Sequence, residues 1–240
     1  MKSKLFITLA GFLACTAGAW AAYGEKAAEA PPASPFYGSV GAVTDYISRG
    51  LTGSRHGAAL QAGTTYLHPT GLYGNLWGST IDLGTDHKNN IELDLRAGYS
   101  GQVGPLSYDL AYIGYVYPGT RQSDHLEFAE WLGKMGYDFG LVKPVASVYW
   151  SNNFQGNLGY AVYSHLEAAV PLPANSDVHI HYGWSRFSNS ALQDYDDWMA
   201  GVKKSAWGVD FNLDYTDTHG LHDVGNIGDP RLVFSVIRNF

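Results

Sequence analysis

Two histidines stand one residue apart in DVHIHYGW, so His179 and His181 share a face of any strand that runs through them. Paired imidazoles are a beginning for a metal site, but the spacing supplies no third ligand, and lining a polar interior is the plainer use of both. His165, flanked by Ser164 and followed by Glu167, raises a hydrolytic relay. Adjacent residues on a strand point to opposite faces, so no relay is expected there. Neither G-x-S-x-G nor H-E-x-x-H occurs. The sequence therefore predicts no catalytic residue, no bound metal and no cofactor.

The other chemistry-bearing side chains recur at a period of two. Glu92, Asp94 and Arg96 alternate in IELDLRAGY, and Asp210, Asn212 and Asp214 in WGVDFNLDY; Asp109, Glu130, Lys134, Asp197 and Lys203 occupy comparable positions. With His179 and His181 these residues are the expected lining of an aqueous pore. Acids lead bases in the set, and a low-dielectric wall focuses their field, so a weak preference for cations follows. The alternative use is structural: Arg96 and its neighbours pair with the acids across strands and brace the wall.

The elements that carry these rows are strands with one apolar side. Ile91, Leu93, Leu95, Ala97 and Tyr99 oppose the first charged row, and Trp207, Val209, Phe211, Leu213 and Tyr215 oppose the last. About twelve such segments are predicted, near 36–48, 58–67, 72–82, 91–100, 106–117, 126–137, 142–152, 158–170, 177–186, 194–203, 207–217 and 230–240. Short connectors such as HPTG and GQVGP alternate with longer ones such as PGTRQSDH and DTHGLHDVGNIGD. That alternation, with aromatics at both ends of the apolar rows, is the pattern of an all-β, antiparallel, up-and-down transmembrane barrel over residues 36–240. Segment 72–82 offers an apolar face either way, through Leu72 and Leu76 or through Tyr73 and Trp77. Inward Gly63, Gly98, Gly183 and Gly208 are expected to leave room for water. Arg186 and Arg238 fall on the apolar rows, near strand ends where a charge costs least. In RLVFSVIRNF, Phe234, Val236 and Phe240 form the outward row of a last strand expected to pair with the first and to carry the assembly signal.

Residues 1–21 read as a secretory signal, with Lys2 and Lys4, an apolar stretch, and Ala19-Trp20-Ala21 as the cleavage site. Residues 22–35 are Ala/Pro-rich and read as a disordered leader. The sole cysteine, Cys15, lies within the signal, so no disulfide framework is expected. A net charge of −7 without a basic patch argues against nucleic acid as a partner. The expected partners are outer-membrane lipid and lipopolysaccharide, the barrel-assembly machinery through the C-terminal strand, and small solutes or ions. The expected location is the bacterial outer membrane, and the competing functions are a structural or adhesive barrel and an outer-membrane hydrolase.

The stretches VGAVTDYISRGLTGS, YLHPTGLYGNLWGSTID, ELDLRAGYSG, YDLAYIGYVYPG, DYDDWMAGV, LDYTDT and DPRLVFSVIRNF resemble the TorF-like porin family of conserved proteobacterial outer-membrane proteins. The resemblance spans roughly Phe36 to Phe240 and implies an outer-membrane pore. The chain departs from the family at Ile47-Ser48-Arg49-Gly50, which lacks the usual aromatic before the arginine, and in the LTGS that follows. Removal of Phe240 is expected to reduce assembly into the outer membrane while export continues, measured by fractionation and by the mobility shift between heated and unheated samples.

Overall fold

The computed structural model describes residues 34–82, 84, 90–120 and 125–240. The signal at 1–21 and all but the end of the leader at 22–35 lie outside the described residues.

The alternating segments form strands β1 (Phe36–Val43), β2 (Ile47–Ser48), β3 (Leu51–Thr52), β4 (Ala59–Leu67), β5 (Leu72–Thr80), β6 (Ile91–Val103), β7 (Leu106–Val116), β8 (Phe128–Tyr137), β9 (Val145–Ser151), β10 (Ala161–Leu172), β11 (Ser176–Phe187), β12 (Tyr195–Ala206), β13 (Val209–His219) and β14 (Arg231–Asn239). All but β2 and β3 join one closed, antiparallel, twelve-stranded barrel in which each strand pairs with its neighbours in the chain. Closure is made by β14 on β1, with Ser39 opposite Asn239 and Val43 opposite Ser235. Beyond the strand, the backbone of Phe240 exchanges hydrogen bonds with Gly38, at 2.7 and 3.0 Å. The Phe240 ring then lies where a Gly38 side chain would be, so glycine is needed at that close approach.

The expected strands and the observed ones agree except in detail. The largest difference is the first: the segment expected at 36–48 leaves the wall after Val43. Thr44 still bonds to Phe234 O through its backbone NH, at 2.9 Å, and the chain then turns into the barrel. Gly208 is also reassigned. It sits at φ +73° in the two-residue turn between β12 and β13, where a left-handed residue is required, and not on an inward row.

Burial follows the period of two around the ring, with polarity inverted relative to a soluble barrel. Leu60, Leu76, Leu95, Leu110, Val148, Leu166, Ile180, Val202, Leu213 and Phe234 are exposed on the outside. Aromatics flank this band: Tyr112, Trp131 and Trp150 lie at one level by register, and Phe36 and Tyr66 pair near the opposite rim. Inside are buried Glu92, Asp94, Arg96, Asp109, Glu130, Ser147, Ser185, Asp197, Asn212, Thr216 and Ser235. An apolar outer band around a polar interior is what a hydrocarbon solvent outside and a polar core inside demand. The ambiguous β5 faces Tyr73 and Trp77 inward and Leu72 and Leu76 outward. Outward Arg186 is not isolated, since its Nη2 is 2.8 Å from Asp196 Oδ1 near the rim of the longer loops.

Leu95→Arg, which places a charge at the middle of the outer band, is expected to destabilise the barrel by about 2–4 kcal/mol. The measurement is reversible denaturant unfolding in lipid vesicles, with Val103→Arg near the rim as the comparison, expected to cost roughly 0–1 kcal/mol.

Candidate functional site: an inward hairpin in an acidic lumen

Between β1 and β4 the chain does not project outward as a loop. Residues 45–54 fold into the lumen, with β2 and β3 as the arms of a small hairpin and Arg49 and Gly50 at its tip. Both tip residues adopt positive φ, at +49° and +79°. Gly50 approaches Asp197 and Thr218 so closely that a Cβ would lie 2.7 and 2.5 Å from their side chains. The base of the hairpin is organised by Asp45, which is buried and accepts hydrogen bonds from Thr52 Oγ1 (2.5 Å), Ser54 Oγ (3.0 Å) and Arg231 Nη1 (3.0 Å). Backbone bonds run from Thr52 NH to Ile227 O and from Asp82 NH to Gly53 O, both 2.9 Å, tying the hairpin to two other loops.

At the tip, Arg49 spans the lumen to the opposite wall. Its Nη1 and Nη2 donate to Glu130 Oε1 and Oε2 at 3.1 and 2.6 Å, a bidentate pair whose side chains are 4% and 0% exposed. Tyr115 OH donates to Glu130 Oε2 at 2.9 Å, and Tyr195 OH to the Arg49 carbonyl at 3.0 Å. The guanidinium also sits 4.5 Å from the centroid of the Tyr163 ring and 5.1 Å from that of Tyr149. A buried charge needs a partner and further hydrogen bonds, and Arg49 has both, together with two aromatic faces. The hairpin thus meets walls from β7, β8, β9, β10, β12 and β13 at one level of the barrel.

The expected lining residues all have their side chains on the interior row, but most are engaged with one another. Glu92 accepts from Tyr117 OH at 3.3 Å and shares its buried row with Asp94 and Arg96. Asp109 accepts from Tyr73 OH at 2.8 Å. Lys134 Nζ is 3.2 Å from Glu167 Oε1, and Lys203 Nζ is 2.8 Å from Asp177 Oδ2. His179 lies between Asp177 and Asp214, at 3.4 and 2.7 Å. Asp197 holds His181 at 2.9 Å and accepts from Tyr163 OH at 3.2 Å. Asp210 accepts from Ser205 Oγ and Asn239 Nδ2, and Asn212 Nδ2 donates to Ser235 Oγ at 2.9 Å.

Two expectations change. Small inward residues do not simply leave space for water: the Tyr73 ring lies over Gly98, and Tyr163 and Asp197 occupy the space beside Gly183. And Glu167, two residues from His165, shares its inward face, so the separation argued for Ser164 does not extend to it. His179 and His181 are not drawn to a common partner, each having its own carboxylate. The lining also includes residues outside the expected set: Arg49, Asp45, Glu167 and Asp177, and the tyrosines 73, 115, 149, 163 and 195. The available signal was the break in alternation at Asp45-Tyr46 and the glycines at 50 and 53, which mark a chain that turns twice within a few residues.

The family described as "Bacterial protein of unknown function (Gcw_chp)" matches residues 27–240. No curated protein matches the chain in sequence. Among solved structures, the chain is similar to one named "KdgM porin" (TM-score 0.58, 5% identity, 85% of this chain and 98% of that one). It is similar to the NanC porin (TM-score 0.53, 6% identity, covering 83% and 97%). An outer-membrane channel from Pseudomonas putida F1 is also similar (TM-score 0.51, 12% identity, covering 88% and 97%). At these identities the likeness is one of fold.

Truncating one partner of the tip pair leaves the other charge buried alone. Arg49→Met is expected to lower stability by about 3–5 kcal/mol, whereas Arg49→Met combined with Glu130→Met restores most of the loss. Denaturant unfolding of the four proteins in a double-mutant cycle measures both.

Proposed function

This chain belongs to the Gcw_chp family of bacterial proteins of unknown function, and we propose that it is an outer-membrane porin-like channel. The observation that carries the reading is the inverted polarity: a closed barrel with an apolar exterior and a continuous acidic, hydrogen-bonded interior. A barrel built only as a scaffold has no need to bury this many ionisable groups, each of which must be paired at a cost in desolvation. The resemblance to the TorF-like porins supports the same reading, as does the similarity of fold to the KdgM and NanC porins.

The 45–54 hairpin is the constriction in this reading. Twelve strands enclose a lumen between the filled interior of a small barrel and the open channel of a large one. The hairpin narrows it further, leaving a path for small solutes or ions only. Acids on the wall exceed the bases that pair with them, so the passage favours cations weakly. Lys134, Lys203 and Arg49 each neutralise a carboxylate, which keeps the preference weak. The lumen is assigned to passage and not to catalysis. Export through the signal at 1–21 and insertion through the C-terminal strand complete the proposal.

The refolded chain in a planar bilayer is expected to conduct poorly, and conductance should rise several-fold when residues 46–53 are replaced by a short Gly/Ser link. A reversal potential under a salt gradient is expected to show weak cation preference, reduced in Asp210→Asn combined with Asp214→Asn. Absence of conductance in both the parent and the hairpin-less barrel, with folding intact, would favour a structural or adhesive role.

A further inference from the structure

One cluster of lumenal side chains joins the lining residues Glu167 and His181 to His165, which the passage reading does not use. His165 and Glu167 stand two residues apart on β10 and point inward, and His181 on β11 is the register partner of Glu167. The His165 and His181 ring centroids are 4.8 Å apart. One ligand atom from each of His165, Glu167 and His181, two imidazole nitrogens and one carboxylate oxygen, lie within 4.8 Å of one another.

A second observation marks the group. Both ring nitrogens of His165 are shielded from solvent, and neither hydrogen-bonds to any protein group. Leaving a buried polar atom unsatisfied costs about 1–3 kcal/mol, so a residue with two of them needs an explanation that packing does not offer. Every other charged or imidazole group on this stretch of wall has a carboxylate, an ammonium or a hydroxyl beside it: Lys134 on Glu167, and Asp197 and Tyr163 on His181. In this cluster His165 is the member whose ring nitrogens have no hydrogen-bond partner, and the rings of Tyr149, Tyr163 and His181 pack around it.

We propose that His165, Glu167 and His181 bind one divalent transition-metal ion of the zinc class inside the barrel. Two imidazoles and one carboxylate are a donor set for zinc and its neighbours, and a poor one for calcium or magnesium, which prefer oxygen throughout. The outer contacts suit the same ion. An imidazole that gives one nitrogen to a carboxylate is held in orientation with the other turned to a metal, and Asp197 takes that position beside His181 at 2.9 Å. Glu167 uses Oε1 toward Lys134 and retains Oε2. Metal bonds of about 2.0–2.2 Å require the three ligand atoms to draw together by about an ångström, which side-chain torsions can supply without moving the strands. Lys134 opposes the ion electrostatically, so it sets the affinity lower than the ligand set alone would allow.

The proposal concerns binding and stands whether or not the barrel conducts. The test uses the refolded chain in detergent, stripped with chelator and titrated with Co²⁺ followed by visible absorption, then with Zn²⁺ in competition. The expected result is one ion per barrel with a Co²⁺ spectrum of low coordination number. His165→Asn and His181→Asn should each weaken binding by more than about 10-fold and Glu167→Gln by roughly 10-fold, while Lys134→Met tightens it. His179→Asn, with its ring outside the cluster, should bind as the parent does. Heat-modifiable mobility reports folding of each variant. Should the histidine variants fail to fold, X-ray absorption of the Zn²⁺-loaded unmodified chain, read for two imidazole ligands and a carboxylate oxygen, gives an independent answer. No Co²⁺ spectrum in the parent, binding that survives His165→Asn, or a Zn²⁺ absorption spectrum without imidazole ligands would each overturn the assignment.

Discussion

The closing pair of strands, β14 on β1, is the constraint from which the rest of the molecule follows. A backbone amide or carbonyl exposed to hydrocarbon has no water to fall back on, so an open sheet edge is excluded and the chain must return to its own beginning. The register of that seam, Ser39 on Asn239 through Val43 on Ser235, and the exchange between Gly38 and Phe240 beyond it complete the ring of backbone bonds. Once the ring is closed, its strand number limits the width of the lumen, and the pleat decides which side chain faces which solvent.

Inside that ring a second problem arises, because ionisable side chains withdrawn from solvent in a narrow interior must still be satisfied. The chain meets it by pairing. Arg49 on Glu130, Lys134 on Glu167 and Lys203 on Asp177 are short contacts between groups that are mostly withdrawn from solvent. Tyrosine hydroxyls supply further bonds: Tyr73 to Asp109, Tyr115 to Glu130, Tyr163 to Asp197. A tyrosine suits the place because its ring fills volume while its hydroxyl reaches a carboxylate. Inward glycines make this possible by yielding their space to a neighbour's side chain. At Gly201 a Cβ would fall on the carboxylate of Asp214 and the ring of His179, so glycine leaves room for their 2.7 Å contact.

The hairpin at 45–54 joins both problems. It is anchored at its base by Asp45 and Arg231, which are far apart in sequence, and at its tip by Arg49 and Glu130 across the lumen. Neither anchor is a surface ion pair of the kind that contributes little. Each is buried, each is bidentate or supported by other hydrogen bonds, and together they hold a short segment against much of the interior circumference. A constriction of this kind belongs to the wall as much as to the loop, since the walls supply Glu130, Tyr115, Tyr163 and Tyr195.

The sequence by itself determined the twelve strands, their order and the facing of most of them. Period-two alternation is a local property, and a strand with charges on one side and leucines on the other can sit only one way between water and an apolar solvent. Glu92, Asp94, Asp210 and Asp214 were legible as interior residues for that reason. Where both faces are apolar the local signal vanishes, and β5 was decided only by tertiary structure, in which Tyr73 finds Asp109 and Trp77 packs against Tyr46 of the hairpin. The same holds for the hairpin, for the partnership of Arg49 with Glu130, separated by 81 residues, and for the meeting of His165 with His181 across two strands. Alternation states which face a side chain is on; the height at which it meets another depends on the register of every strand between them, and that is settled only when the barrel closes.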